Sequence, residues 1–198
     1  FAMLLRYEMC MSPSLPRKGS GLHAALPGNV FSALNESFGV TTECFASPLN
    51  SFYGSYYSAY YDTDVFFGSF GSFFNHRPTG GSFEVNPPFV EEIILKCAER
   101  IDTLLAEART EPLSFIVFIP NWEDTLGLQR MISSPYMRHN MVLREFEHSY
   151  VSGLQHQEKA NYVQYKAVHA TRVIFLQNDL GFKKWAPCRE NLRRITRS

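Results

Sequence analysis

Ser82-Phe83-Glu84-Val85-Asn86-Pro87-Pro88-Phe89 decides the architecture of this chain. The first four residues have the look of a short strand. The two prolines end it, because proline fixes φ and has no N–H to give to a ladder. Beyond them Ile93, Ile94, Cys97, Ala98, Ile101, Leu104 and Leu105 recur at helical spacing, which predicts an amphipathic helix over Phe89 to Ala108. Pro88 near its start and Glu91-Glu92 in its first turn suit a helix N-terminus. The run is therefore strand, stiff loop, helix.

The neighbouring segments extend that pattern. Leu113 to Ile119 is a continuous apolar run bounded by Pro112 and Pro120, as in a parallel strand covered on both faces. Val40 to Ala46 also has strand character and leaves through the turn Ser47-Pro48-Leu49-Asn50. Asn29 can cap a short helix through Val30, Phe31, Leu34 and Phe38, closed by Gly39. Met11 to Gly28 suggests a loop or linker, and Asp62 to Gly81 irregular structure. Phe52 to Tyr61 fits helix or strand. A further strand is expected near Met141 to Leu143, and a hairpin from Tyr162–Val168 and Arg172–Gln177 around His169-Ala170. Strands alternating with helices argue for an open α/β sheet, with ligands beyond the carboxyl ends of its strands. Both distinctive turns, Ser47 to Asn50 and Asn86 to Phe89, then open onto one crevice.

The bulk numbers bound the rest. With 198 residues and a formal net charge of +0, the chain suits one compact domain with no global field for nucleic acid. Local basic clusters remain, at Lys183-Lys184 and at Arg189, Arg193, Arg194 and Arg197. A solvated helix face is the preferred reading of both, ahead of an RNA contact. Cys10, Cys44, Cys97 and Cys188 form no C-x-x-C pair, consistent with reduced thiols in a cytosolic or nuclear protein. His139, His148, His156 and His169 lack partners at ligand spacing, so no metal site is expected. No membrane span or signal peptide is expected either. The opening at Phe1, already element-like, suggests a longer protein from which upstream sequence is missing.

Asn86 to Phe89 point to a chemistry. The exocyclic amine of adenine is a poor nucleophile because its lone pair is delocalised into the ring. Two fixed acceptors, the Asn86 side-chain oxygen and the Pro87 carbonyl, can take its N–H groups and turn that lone pair toward an electrophilic methyl. Phe89 can stack on the base.

The chain resembles the phosphorylated-CTD-interacting factor family. The likeness runs through Glu43 to Asn50, Asp62-Thr63-Asp64 with Phe67-Gly68-Ser69, and Gly81 to Phe89. It continues through Pro112 to Pro120 with Trp122, Phe146-Glu147-His148, Tyr165 to His169, and Phe175 to Asp179 with Gly181-Phe182. The resemblance implies a Rossmann-like class I methyltransferase that uses S-adenosylmethionine, with a mostly parallel central sheet and helices on both faces. It places residues 29–198 in that domain and leaves 1–28 as an N-terminal remnant or linker. The implied substrate is the 2′-O-methyladenosine beside the 7-methylguanosine cap of messenger RNA, the product its N6-methylated form, and the setting nuclear. Methylation of other RNA or DNA adenines, or a silent RNA- or polymerase-binding module, are the alternatives.

Asn86, Pro87, Pro88 and Phe89 match the family's catalytic motif. Glu91 and Trp122 fall where the family holds substrate, the carboxylate suited to a methylated guanine and the indole to stacking on its cationic ring. Ser47, Pro48, Leu49 and Asn50, with Asn86, fall where the cofactor is held. Asp62 and Asp64 can accept from its ribose or ammonium, or can cap their own loop. Family members also carry a helical domain and a WW domain upstream. Of these the chain is expected to hold at most a remnant of the first and nothing of the second, so no binding to the RNA polymerase II tail is expected of it.

Overall fold

The computed structural model describes residues 1–10, 24–152 and 164–197. Most of the expected linker, His156 and the first residues of the expected strand at Tyr162 lie outside them. In chain order the elements are α1 (Ala2–Cys10), β1 (Ala24–Ala25), α2 (Gly28–Phe38), β2 (Val40–Glu43), α3 (Tyr61–Asp64), β3 (Gly81–Val85), α4 (Glu91–Glu107) and β4 (Leu113–Pro120). There follow α5 (Leu126–Ile132), β5 (Met137–Leu143), β6 (Ser149–Ser152), β7 (Gln164–Lys166), β8 (Thr171–Gln177), α6 (Asp179–Lys184) and α7 (Arg189–Arg197).

The main sheet has the order β2-β3-β4-β8-β5. Two of its strand pairs, β2–β3 and β3–β4, are parallel, whereas β8 is antiparallel to both β4 and β5. The sheet is thus mixed rather than mostly parallel. The cause lies in the path of the chain after β5. Among the described residues no helix carries it back to the far edge; β6 and β7 follow β5, and β8 starts beside the end of β5, where Thr171 pairs with Leu143. β8 must then run against its neighbours. Parallel single bridges, Glu43 to Tyr56 and Tyr56 to Ser69, extend the sheet beyond β2.

All eight residues of β4 are buried, as the unbroken apolar run requires. Leu113, Phe115, Val117 and Ile119 meet the apolar stripe of α4 and Leu128 and Met131 of α5. Ile116 and Phe118 point the other way, to Val30, Phe31, Leu34 and Phe38 of α2 and Ile195 of α7. Helices therefore cover both faces, and each large side chain so buried contributes about 1.5–3 kcal/mol.

Several expectations change. The hairpin does not form: β7 pairs with β6 in a separate β1-β6-β7 sheet, while β8, buried from Val173 to Gln177, takes an interior place in the main one. Strand propensity marks both segments but does not say which sheet receives each. Asn29 is not the cap of α2; Pro27 holds that position and its carbonyl accepts from Val30 and Phe31 N–H. Gly39 closes α2 at φ 64°, as expected. β2 stops at Glu43, and α3 and a 3₁₀ turn (Val65–Phe67) occupy part of the stretch expected to be irregular. Within 1–28, the described elements dock on the rest: Arg6 and Tyr7 of α1 bond Asp62 and Asp64, and β1 pairs with β6.

Candidate active site

β2, β3 and β4 end side by side, and their carboxyl ends release the three loops of interest. Along β3, Phe83 and Val85 enter the core shared with α4. Alternation turns Ser82, Glu84 and then Asn86 to the opposite face.

Asn86 is 9% exposed. Its Nδ2 donates to the Ala24 carbonyl at 2.6 Å, whereas its Oδ1 is buried and accepts from no protein group. Pro87 is buried and Pro88 half-buried, and the Pro88 carbonyl accepts from Val90 N–H at 2.7 Å, which starts the turn into α4. The half-buried Phe89 ring meets Tyr150 edge to face, with centroids 6.1 Å apart. Tyr150 is fixed in turn through Thr171, whose hydroxyl lies 2.8 Å from both the Tyr150 hydroxyl and His148 Nε2. Burial moves the His148 imidazole below its ordinary pKa.

Two acids with no role expected from the sequence lie on the strands that lead to this motif. Glu43 and Glu84 are register partners across β2 and β3. Glu43 Oε1 accepts from Phe52 and Tyr53 N–H at 2.8 and 2.9 Å. Glu84 is 1% exposed, and its Oε1 has no protein partner. Burial raises the Glu43 carboxyl to about 7. Burial, and then the charge of Glu43, hold Glu84 well above the usual carboxylate range. The available signal was an acid inside a strand that is otherwise buried, two residues before Asn86. Unpartnered acceptors on Glu84 and Asn86, on one face of one strand, fit a ligand that brings cationic or N–H donors.

Ser47 to Asn50 form a closed turn after β2: Asn50 Oδ1 accepts from Ser47 N–H and Oγ–H, each at 2.8 Å, and Leu49 N–H donates to Ser47 Oγ. Pro48 is half-buried beside them. Glu91 and Trp122 lie in neighbouring segments. Glu91 Oε1 accepts from Leu126 N–H at 3.2 Å, which joins the start of α4 to the start of α5, just beyond the loop that carries Trp122, a residue 38% exposed. Asp62 and Asp64 are drawn elsewhere. Asp62 pairs with Arg6 at 2.5 Å, and Asp64, fully buried, accepts from Tyr7 and Thr63 hydroxyls. Among the described residues no cluster of His, Cys, Asp or Glu is arranged to hold a metal ion, and no helix is long and apolar enough to cross a membrane. A cavity of about 260 Å³ is lined by Leu26, Val30, Phe118, His148, Tyr150 and Ile195, among others, and by none of Asn86 to Phe89.

A family model described as "Phosphorylated CTD interacting factor 1 WW domain" matches residues 1–153. That description corrects the expectation that nothing of a WW domain is present, and the matched residues run from α1 through β6. Two proteins named mRNA (2'-O-methyladenosine-N(6)-)-methyltransferase, from Homo sapiens and Mus musculus, are 49% and 48% identical to the chain over 198 residues. The match covers 99% of this chain and 28% of each relative, so the chain spans little more than a quarter of their length.

Proposed function

The chain belongs to the phosphorylated CTD interacting factor 1 family, and from that premise we propose that it methylates N6 of the 2′-O-methyladenosine next to the cap of messenger RNA, with S-adenosylmethionine as donor. The observation that carries this reading is the buried, unpartnered Oδ1 of Asn86 at the carboxyl end of β3. A fixed acceptor there is what the adenine amine requires.

The finer fold reading is a class I methyltransferase core. Strand order supports it. Counted with the single bridges at Tyr56 and Ser69, the strands that share one direction run third, second, first, fourth, fifth and sixth, with antiparallel β8 between the last two. This is the doubly wound order, and its switch point falls between β2 and β3, where such folds bind ligands. Glu43, Glu84, Ser47 to Asn50 and Asn86 all lie at that point.

When bound, S-adenosylmethionine supplies an electrophilic methyl carried on a sulfonium. Glu84 and Asn86 offer acceptors toward its cationic and N–H groups, and the Ser47 to Asn50 turn borders them. Asn86 Oδ1 and the Pro87 carbonyl accept the two N–H groups of the adenine, which holds the lone pair in the productive direction. Phe89 stacks the base, and Glu91 and Trp122 receive the cationic cap guanine. The nitrogen would take the methyl as the bond from that methyl to sulfur breaks, with S-adenosylhomocysteine as the leaving group, and would release one proton to solvent. Nuclear capped transcripts are the expected partners.

Mass spectrometry of nucleosides from RNA incubated with the protein and S-adenosylmethionine tests this. Capped RNA beginning with 2′-O-methyladenosine is expected to gain the N6-methyl product much faster than its uncapped twin. Equal rates contradict cap dependence and favour a general adenine N6-methyltransferase. No product on either, with no affinity for S-adenosylhomocysteine, favours a silent binding module.

A further inference from the structure

The amide of Asn86 is gripped from one side only. Its nitrogen donates to the Ala24 carbonyl across 62 positions of sequence, while its oxygen meets no donor. An amide has donors at one end and an acceptor at the other, so a carbonyl fixed at the first end settles where the second points. We infer that Ala24 is a positioning residue, whose backbone carbonyl sets the Asn86 amide with Oδ1 turned toward the substrate amine. The inference rests on the role proposed above for Asn86. The carbonyl is itself held in place: Ala24 and Ala25 pair with Ser152 and Val151 of β6, and the next residue, Leu26, is buried in the α2 core.

The arrangement selects an amide over a carboxylate. An ionised aspartate at position 86 has no hydrogen for Ala24 and sets oxygen lone pairs against a carbonyl. A protonated aspartic acid has an O–H to donate to Ala24 and keeps a C=O for the amine. Asn86→Asp is therefore expected to work only in its acid form. The other titratable groups facing this site are Glu84 of β3, Glu43 of β2, Tyr53 of the loop after β2, and His148 and Tyr150 at β6; Glu91 and Glu92 stand exposed at the first turn of α4. All are present in wild type as well, so the ratio of variant to wild-type rates isolates residue 86.

The test is single-turnover methyl transfer by Asn86→Asp and wild type between about pH 5 and about pH 8.5. The ratio of rates is expected to fall about tenfold per pH unit above the pKa of the introduced carboxyl. Calorimetry with S-adenosylhomocysteine checks that the variant retains its cofactor site. A ratio independent of pH, whether the variant is active or dead, overturns the inference while leaving the wild-type activity standing. Loss of activity in wild type itself sinks the functional reading instead. In that case, or if the variant fails to fold, proton exchange of the wild-type Asn86 side-chain amide decides: one slowed proton is expected, and two rapidly exchanging protons overturn the inference.

Discussion

Glu43 and Glu84 face each other across the β2–β3 pair, 3% and 1% exposed. Burial raises the carboxyl of Glu43 to about 7 and that of Glu84 well above the ordinary range. In the unfolded chain both titrate near the ordinary value. Between the two values the folded protein holds protons that the unfolded chain has released, so rising pH favours unfolding. The stability is fully present below the ordinary carboxylate pKa and is lost as pH climbs through about 7. For Glu43 the loss is on the order of 3 kcal/mol. Glu43→Gln keeps an acceptor for Phe52 and Tyr53 N–H and removes the titration. Urea unfolding at about pH 5 and about pH 8 is expected to give a smaller difference for this variant than for wild type; an unchanged difference contradicts the assignment.

Asn178 ties three parts of the chain together. Its Oδ1 accepts from Gly181 N–H at 2.7 Å, capping α6, and from Leu113 N–H at 3.0 Å. Its Nδ2 donates to the carbonyls of Ala108 and Glu111, both at 2.8 Å. Asn178→Ala removes a cap and strands buried backbone groups, so a loss of roughly 3 kcal/mol is expected in urea titrations. A loss comparable to that of a neutral surface substitution contradicts the bond network.

Tyr7 anchors α1 through its hydroxyl on Asp64, a carboxylate with no exposed surface. Tyr7→Phe keeps the ring and leaves that carboxylate oxygen without its donor, at a cost of about 1–3 kcal/mol. Hydrogen exchange over α1 is expected to quicken while β4 stays protected. Unchanged exchange in α1 contradicts this docking.

What the sequence disclosed follows from the range of each interaction. β4 was legible because the apolar run Leu113 to Ile119, bounded by prolines, has few other uses. α4 was legible from its repeat, and the end of α2 from Gly39, whose φ of 64° suits glycine. Asn86 to Phe89 were legible as a stiff loop at a strand end. The fate of β7 and β8 was not, since strand propensity leaves the choice of sheet open. Nor was the Ala24 contact, which joins residues 62 positions apart. Whether Asp62 and Asp64 serve a ligand or their own loop was open in the sequence, because nothing local reveals that Arg6 and Tyr7 reach them. Glu84 could have been flagged as an acid set among apolar strand residues.

The most direct measurement compares Asn86→Ala with wild type on capped RNA that begins with 2′-O-methyladenosine, scoring N6-methylated product by mass spectrometry and cofactor affinity by calorimetry. Product formation is expected to fall by about 10²-fold or more, with S-adenosylhomocysteine still bound. Turnover at the wild-type rate by Asn86→Ala contradicts the role given to that side chain.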